Sequence, residues 1–214
     1  MLVLAALLLA VGWFGGLHAS GNYHEILPGE LYRSGQLSGP ALADRIRRDG
    51  IRSVVNLRGE QDDRPWYDAE IAATEAAGIA HYDFRMSSAQ SLSAPDAGRL
   101  VTLLREAPKP VLVHCEGGAD RTGLAAALYL AAAGRPAEAD GQLSVRYGFV
   151  GIKGVTRPWP MLESWNRLRE GFSARPAHSS PATRAPSRRS ASACASATPG
   201  RASRRSISAR RAAP

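Results

Sequence analysis

The sequence predicts an α/β domain with a mostly parallel central sheet flanked by helices. Three observations carry that prediction. Short apolar runs rich in β-branched residues alternate with longer segments that bear helix caps. One run, Val111-Leu112-Val113, is apolar throughout, as suits a central parallel strand covered on both faces. The composition then shifts abruptly near residue 174, which marks the end of the domain. The 214 residues divide into a hydrophobic segment over 1–20, a compact domain over 21–173 and an Arg/Ser/Ala/Pro-rich tail over 174–214.

The first segment, Met1 to Leu17, carries no charged side chain. It predicts an N-terminal hydrophobic helix and reaches the short end of the roughly 17–25 residues that cross a bilayer. Trp13 and Phe14 suit the interfacial end of such a span. A secretory signal would have a basic start, which is missing, and Leu17-His18-Ala19 is a poor cleavage site. The expectation is an uncleaved membrane anchor, with a cleaved signal as the alternative, and a domain held at the membrane or exported to the periplasmic or other extracytoplasmic side.

Within the domain, Leu31-Tyr32-Arg33 predicts a short strand. Ser38 caps a helix with Pro40 in its first turn and Gly50 at its end, and Leu42 and Ile46 share its core face. Ile51 to Leu57 reads as a strand, Pro65 to Ala77 as a helix closed by Gly78, and Ile79 to Phe84 as a strand. Ser93 and Asp96 open a helix that runs to about Glu106. After the Val111 strand, Arg121 to Ala133 is helical, and two more helices are expected near Ala137–Tyr147 and Met161–Arg169.

The net charge of +8 suggests a polyanionic partner until its distribution is read. Residues 174–214 hold nine Arg and no acidic residue, and removing those nine leaves −1 for residues 1–173. No nucleic-acid partner is expected of a nearly neutral domain. The tail has one Ile and no Leu, Val or aromatic residue, a composition that predicts disorder. Cys115 and Cys194 show no metal-ligand spacing and no disulfide framework, and His18, His24, His81 and His178 form no metal set. No metal and no cofactor are expected.

The chemistry is concentrated in Val111 to Gly123, VLVHCEGGADRTG. An apolar strand ends at His114-Cys115, and five residues later Arg121-Thr122-Gly123 opens a helix. A loop entering a helix N-terminus aims backbone N–H groups at one point and makes an anion site. Gly117 and Gly118 allow close backbone approach. Arg121 brings a planar two-toothed grip on phosphate oxygens, and its charge favours a thiolate at Cys115. A thiolate facing a bound phosphate is a poised nucleophile.

His-Cys-x5-Arg-Thr-Gly after an apolar strand resembles the signature of the cysteine-based protein tyrosine phosphatases, and the body is similar to the compact dual-specificity-like bacterial members. Leu31-Tyr32-Arg33-Ser34, Val55-Asn56-Leu57-Arg58-Gly59-Glu60 and Ala125 to Leu130 fall in the order that group shows. The resemblance implies a protein tyrosine phosphatase-like fold and hydrolysis of a phosphoric monoester through a cysteinyl-phosphate. In that scheme Cys115 attacks phosphorus, and Arg121 stabilises the equatorial oxygens. Backbone N–H groups of Glu116, Gly117, Gly118, Ala119, Asp120 and Arg121 cradle the phosphate. The Thr122 hydroxyl donates to the Cys115 sulfur, and His114 orients the loop.

The family's general acid normally lies on a separate loop, here about Met86 to Pro95, which contains no acidic residue. Asp120, beside Arg121, is the favoured acid and Asp83 the second candidate. Asp62 and Asp63 sit in a loop after the Val54-Val55 strand, within reach of the site, and Asp96 is explained as a cap. Arg85 and Lys153 are read as solvated charges. The expected substrate is a phosphorylated protein. The alternatives are a phosphorylated small molecule or lipid, such as an inositol phosphate or phosphoinositide, or a phosphate-binding pseudophosphatase that lacks a working acid. A sulfurtransferase of the rhodanese type is disfavoured by the His-Cys pair and the Arg-Thr-Gly helix start.

Overall fold

A computed structural model describes residues 1–173. The predicted tail and Cys194 lie outside the described residues. A five-stranded sheet runs in the order β1-β2-β5-β3-β4, with β1 at His24–Leu27, β2 at Leu31–Ser34, β3 at Ser53–Asn56, β4 at Ala80–Asp83 and β5 at Val111–His114. Only the β1–β2 pair is antiparallel. That edge strand is an addition to the sequence reading. His24–Leu27 is short and only its last residue is buried, so the segment carries no period-2 signature of its own.

The helices follow their local signals. Helix α2, Gly39–Asp49, begins where the Ser38 side chain accepts the Ala41 N–H and ends at Gly50 in the left-handed region. Helix α3 spans Pro65–Ala77 with Gly78 closing it, and α4 spans Ala94–Glu106 with Ser93 accepting the Asp96 N–H. Each side-chain cap stabilises its helix by about 1 kcal/mol. Helix α5, Asp120–Ala132, is buried from Thr122 onward. A helix apolar on every side belongs inside the core. The helix expected near Ala137–Tyr147 is instead a short α6, Pro136–Ala139, followed by two single 3-10 turns at Asp140–Gln142 and Val145–Tyr147. The segment breaks at Leu143 and Ser144, whose backbones are not helical, and Gly148 at φ +83° closes the last turn. Helix α7, Trp159–Ser173, completes the domain.

Alternation along the strands builds two cores. Val55, Val111 and Val113 face α4, α5 and α7, with Leu100, Leu104, Leu124 and Trp165. Val54 and Leu112 face α2 and α3, with Leu42, Ile46 and Ile51. Each fully buried Leu contributes about 1.5–3 kcal/mol. β5 is therefore the central, doubly covered strand that its apolar run predicts. Its register aligns Ser34, His114 and Asn56, with Asp83 beyond Asn56, in one row across the carboxyl ends of the parallel strands. Ligands bind open α/β sheets beyond such a row.

Helix α1, Leu2–Ala19, is the N-terminal helix the composition predicts, but the spanning anchor is corrected. Among the described residues no helix is long and apolar enough to cross a membrane. Its 18 residues amount to about 27 Å, against a hydrocarbon core of about 30 Å. Its last turns also rest on the domain, where Trp13 Nε1 donates to the Val145 carbonyl at 3.0 Å and the Asn22 N–H donates to the Leu17 carbonyl at 2.8 Å.

Candidate active site

β5 delivers His114 and Cys115 to the row of strand ends, and α5 begins five residues later. Cys115 is buried, at 2 % exposure, on the floor of the intervening loop. The loop's shape follows from where its carbonyls go. The Gln36 N–H donates to the Glu116 carbonyl at 2.9 Å. Asn22 Nδ2 donates to the Gly117 carbonyl at 3.0 Å, and Arg33 Nη2 donates to the Gly118 carbonyl at 2.7 Å. In a trans peptide the C=O and the following N–H point in opposite directions. Three carbonyls held on the outer side therefore turn the N–H groups of Gly117, Gly118 and Ala119 to the concave side, over Cys115. Gly118 has φ +71°, and a Cβ there would lie 2.5 Å from the Gly35 nitrogen, so only glycine allows the loop to seat on the end of β2.

Arg121, in the first turn of α5, lines the mouth of an open cleft of about 530 Å³. One of its Nη atoms donates to the Met86 carbonyl at 3.4 Å, and its buried Nε has no partner. Arg58, Arg85 and Arg157 line the same cleft, with Glu116 the one carboxylate among its lining residues. Arg85, which the sequence reading treats as solvated, thus stands at the rim, whereas exposed Lys153 does not line the cleft. The Met86–Pro95 loop contributes Met86, Ser87, Ser88 and Gln90.

The acid candidates differ in surroundings. Asp120 is half-buried at the start of α5, and burial raises its pKa above the ordinary carboxylate range against the opposing charges of Arg121 and Arg157. Asp83, at the end of β4, is engaged elsewhere. Its two carboxylate oxygens accept from Asn56 Nδ2 at 2.8 Å and from the Tyr67 hydroxyl at 2.6 Å. Asp62 and Asp63 are exposed, and none of the four aspartates is among the residues that line the cleft, Asp120 standing beside its lining residue Arg121. Thr122 is fully buried, and its hydroxyl is directed at the Ser34 carbonyl, 3.5 Å away.

Behind the cradle lies a polar cluster that sequence reasoning missed. Glu70, on α3 and 2 % exposed, accepts from His114 Nε2 at 3.1 Å and His81 Nε2 at 2.9 Å through one oxygen, and from Gln36 Nε2 at 2.6 Å through the other. A carboxylate only accepts, so both imidazoles present Nε2–H to it. Burial opposes ionisation of Glu70, but the bonds from His114, His81 and Gln36 outweigh it and hold the carboxyl well below the usual range. The one available signal was an acidic residue on the buried side of a helix. Asn22 and Arg33 gave a weaker one, since their partners lie 95 and 85 positions away.

Three comparisons place this geometry among known proteins. Residues 14–139 match the model of a group described as the tyrosine phosphatase family. A stretch of 73 residues is 38% identical to the Beta-lactamase hydrolase-like protein of Xylella fastidiosa, covering 33% of this chain and 17% of that relative's length. Among solved structures, P. aeruginosa TpbA aligns with TM-score 0.55 at 21% identity over 72% of this chain and 90% of its own. The active form of Tk-PTP aligns with TM-score 0.52 at 20% identity over 70% and 97%. At those identities the likeness is one of fold.

Proposed function

Because the chain belongs to the tyrosine phosphatase family, we propose that it is a cysteine-dependent phosphoric monoester hydrolase acting on phosphotyrosyl or dual-specificity protein substrates. The observation that carries the reading is the inward-facing cradle over Cys115 with Arg121 at its mouth. The Cys115 thiolate attacks phosphorus, the phosphorus–oxygen bond to the leaving group breaks, and the leaving oxygen takes a proton. Cradle N–H groups and Arg121 hold the equatorial oxygens, where charge is concentrated in the transition state. Water then attacks the cysteinyl-phosphate and passes a proton to the Asp120 carboxylate, and the phosphorus–sulfur bond breaks to release phosphate and restore the thiolate. Asp120 is the proton source in this reading, since its burial and raised pKa favour the protonated acid. Arg58, Arg85 and Arg157 around the cleft favour a substrate with further negative charge beside the scissile phosphate.

The test is phosphate release from phosphotyrosyl and phosphoseryl peptides, phosphoinositides and inositol phosphates, with Cys115→Ser alongside. Turnover of phosphopeptides that vanishes in Cys115→Ser while phosphate-ester binding remains is the expected result. Preference for inositol phosphates or phosphoinositides replaces the substrate class. Binding without turnover makes the chain a phosphate-recognition module.

For location, we propose association with a membrane surface through α1, which exposes Leu4, Leu7, Leu8, Leu9 and Val11 along its length. The support for this reading is the exposed apolar surface itself, since a large exposed apolar patch marks a membrane or protein contact.

A further inference from the structure

Arg33 is the largest side chain fully buried in the domain, at 0 % exposure. A buried guanidinium is normally paired with a carboxylate, because an isolated charge in a low-dielectric interior is strongly unfavourable. Arg33 has no such pair among the described residues. Its Nη1 donates to the carbonyl and side-chain oxygen of Gln142 at 3.0 and 2.7 Å. Its Nη2 donates to the Gly118 carbonyl at 2.7 Å, its Cζ lies 3.9 Å from the centroid of the Tyr147 ring, and its Nε has no partner. Burial pulls its pKa down to about 10, with the charges of Tyr147 and Cys115 opposing, so it remains a cation at neutral pH.

The fold makes room for this arrangement. A Cβ on Gly123 would stand 2.8 Å from the Gln142 carbonyl, so glycine at that position lets the 3-10 turn press against α5 and present Gln142 to Arg33. What lies on the far side of the Gly118 peptide is the anion site over Cys115.

We propose that Arg33 is the positioning residue of the phosphate cradle: its fork holds the Gly118 carbonyl outward so that the loop N–H groups face the phosphate, and its unpaired charge favours the bound dianion from behind. The proposal rests on the catalytic reading above. Lys at this position would keep the charge and lose the fork, so the two roles separate by substitution.

The experiment measures protection of Cys115 from iodoacetamide by inorganic phosphate, read at the peptide that carries Cys115, in the full chain and in Arg33→Gln and Arg33→Lys. With Arg33→Gln, which loses charge and fork, phosphate protection weakens at least about tenfold. With Arg33→Lys, which keeps the charge, protection still weakens about tenfold. A folded Arg33→Gln with the parent's protection overturns the proposal. Should that variant fail to fold, Arg33→Lys decides, and parental protection there overturns the role of the fork. The readout does not require turnover. A parent chain that hydrolyses no phosphate ester and is not protected by phosphate overturns the catalytic reading and this proposal together.

Discussion

Glu70 and His114, 44 positions apart, share a hydrogen bond of 3.1 Å that ties α3 to the last residue of β5, immediately before Cys115. The bond lies behind the cradle and fixes the strand end from which the loop departs. Its acceptor also takes His81 and Gln36, so one buried carboxylate organises three donors.

Glu70→Gln is expected to lower stability by about 2–4 kcal/mol at neutral pH, since an amide end cannot accept from all three donors. The folded carboxyl is held below its unfolded value of about 4.3. Its stabilising effect is therefore complete above that value and fades as pH falls below it. Denaturant unfolding of both proteins should show the gap narrowing below about pH 4, and a gap independent of pH would remove the cluster's electrostatic role.

Asp120→Asn is expected to slow alkyl phosphates about 10²–10⁴-fold and to affect nitrophenyl phosphate little, because acid catalysis matters most for poor leaving groups. A carboxyl whose pKa is raised by burial disfavours folding at neutral pH, so the variant should melt no lower than the parent. Asp83→Asn should do the reverse: a lower melting temperature through Asn56 and Tyr67, and a rate change shared by every substrate. Leaving-group dependence confined to Asp83→Asn would exchange the two assignments.

Gly118→Ala is expected to abolish phosphate binding. The new methyl meets the Gly35 nitrogen at 2.5 Å, and φ +71° adds about 1–2 kcal/mol of backbone strain. Isothermal titration with inorganic phosphate, beside circular dichroism, checks it. A folded variant with parental phosphate affinity would show that the loop seats elsewhere.

Replacing Arg85 and Arg157 by Gln should raise KM about tenfold for phosphopeptides with acidic neighbours and leave KM for nitrophenyl phosphate within about twofold. The parent's preference for acidic flanks should fall with ionic strength. Equal losses on both substrates would place these arginines in the general phosphate field.

Changing Leu4, Leu8 and Val11 to Ser should release the protein from vesicles of uncharged phospholipid while leaving nitrophenyl phosphate turnover intact, since these side chains are exposed and away from the cleft. Vesicle sedimentation reads the first and a phosphate assay the second. Co-sedimentation unchanged by the three substitutions removes the α1 proposal, and N-terminal sequencing from cells that starts near Ser20 replaces it with a cleaved signal.

Most of the architecture was legible because its signals are local. Ser38 with Gly50, Pro65 with Gly78, and Ser93 with Asp96 announce helix ends within a few residues, and the unbroken apolar run of Val111–Val113 announces a central strand. The Cys115–Arg121 loop was legible for the same reason, its residues being contiguous. β1 was not, because its strand character comes from pairing with β2. Arg33, Asn22 and Glu70 were hidden in another way. Their residue types read as ordinary strand, turn and helix polar groups until the fold brings the cradle to them.

Pairing of β5 on both sides has a consequence for how the protein opens. Amides of a doubly paired, doubly covered strand exchange with solvent only when the whole domain unfolds. The thiol carried at the tip of that strand therefore belongs to the last unit to open, whereas edge strand β1 and helix α1 can fray first.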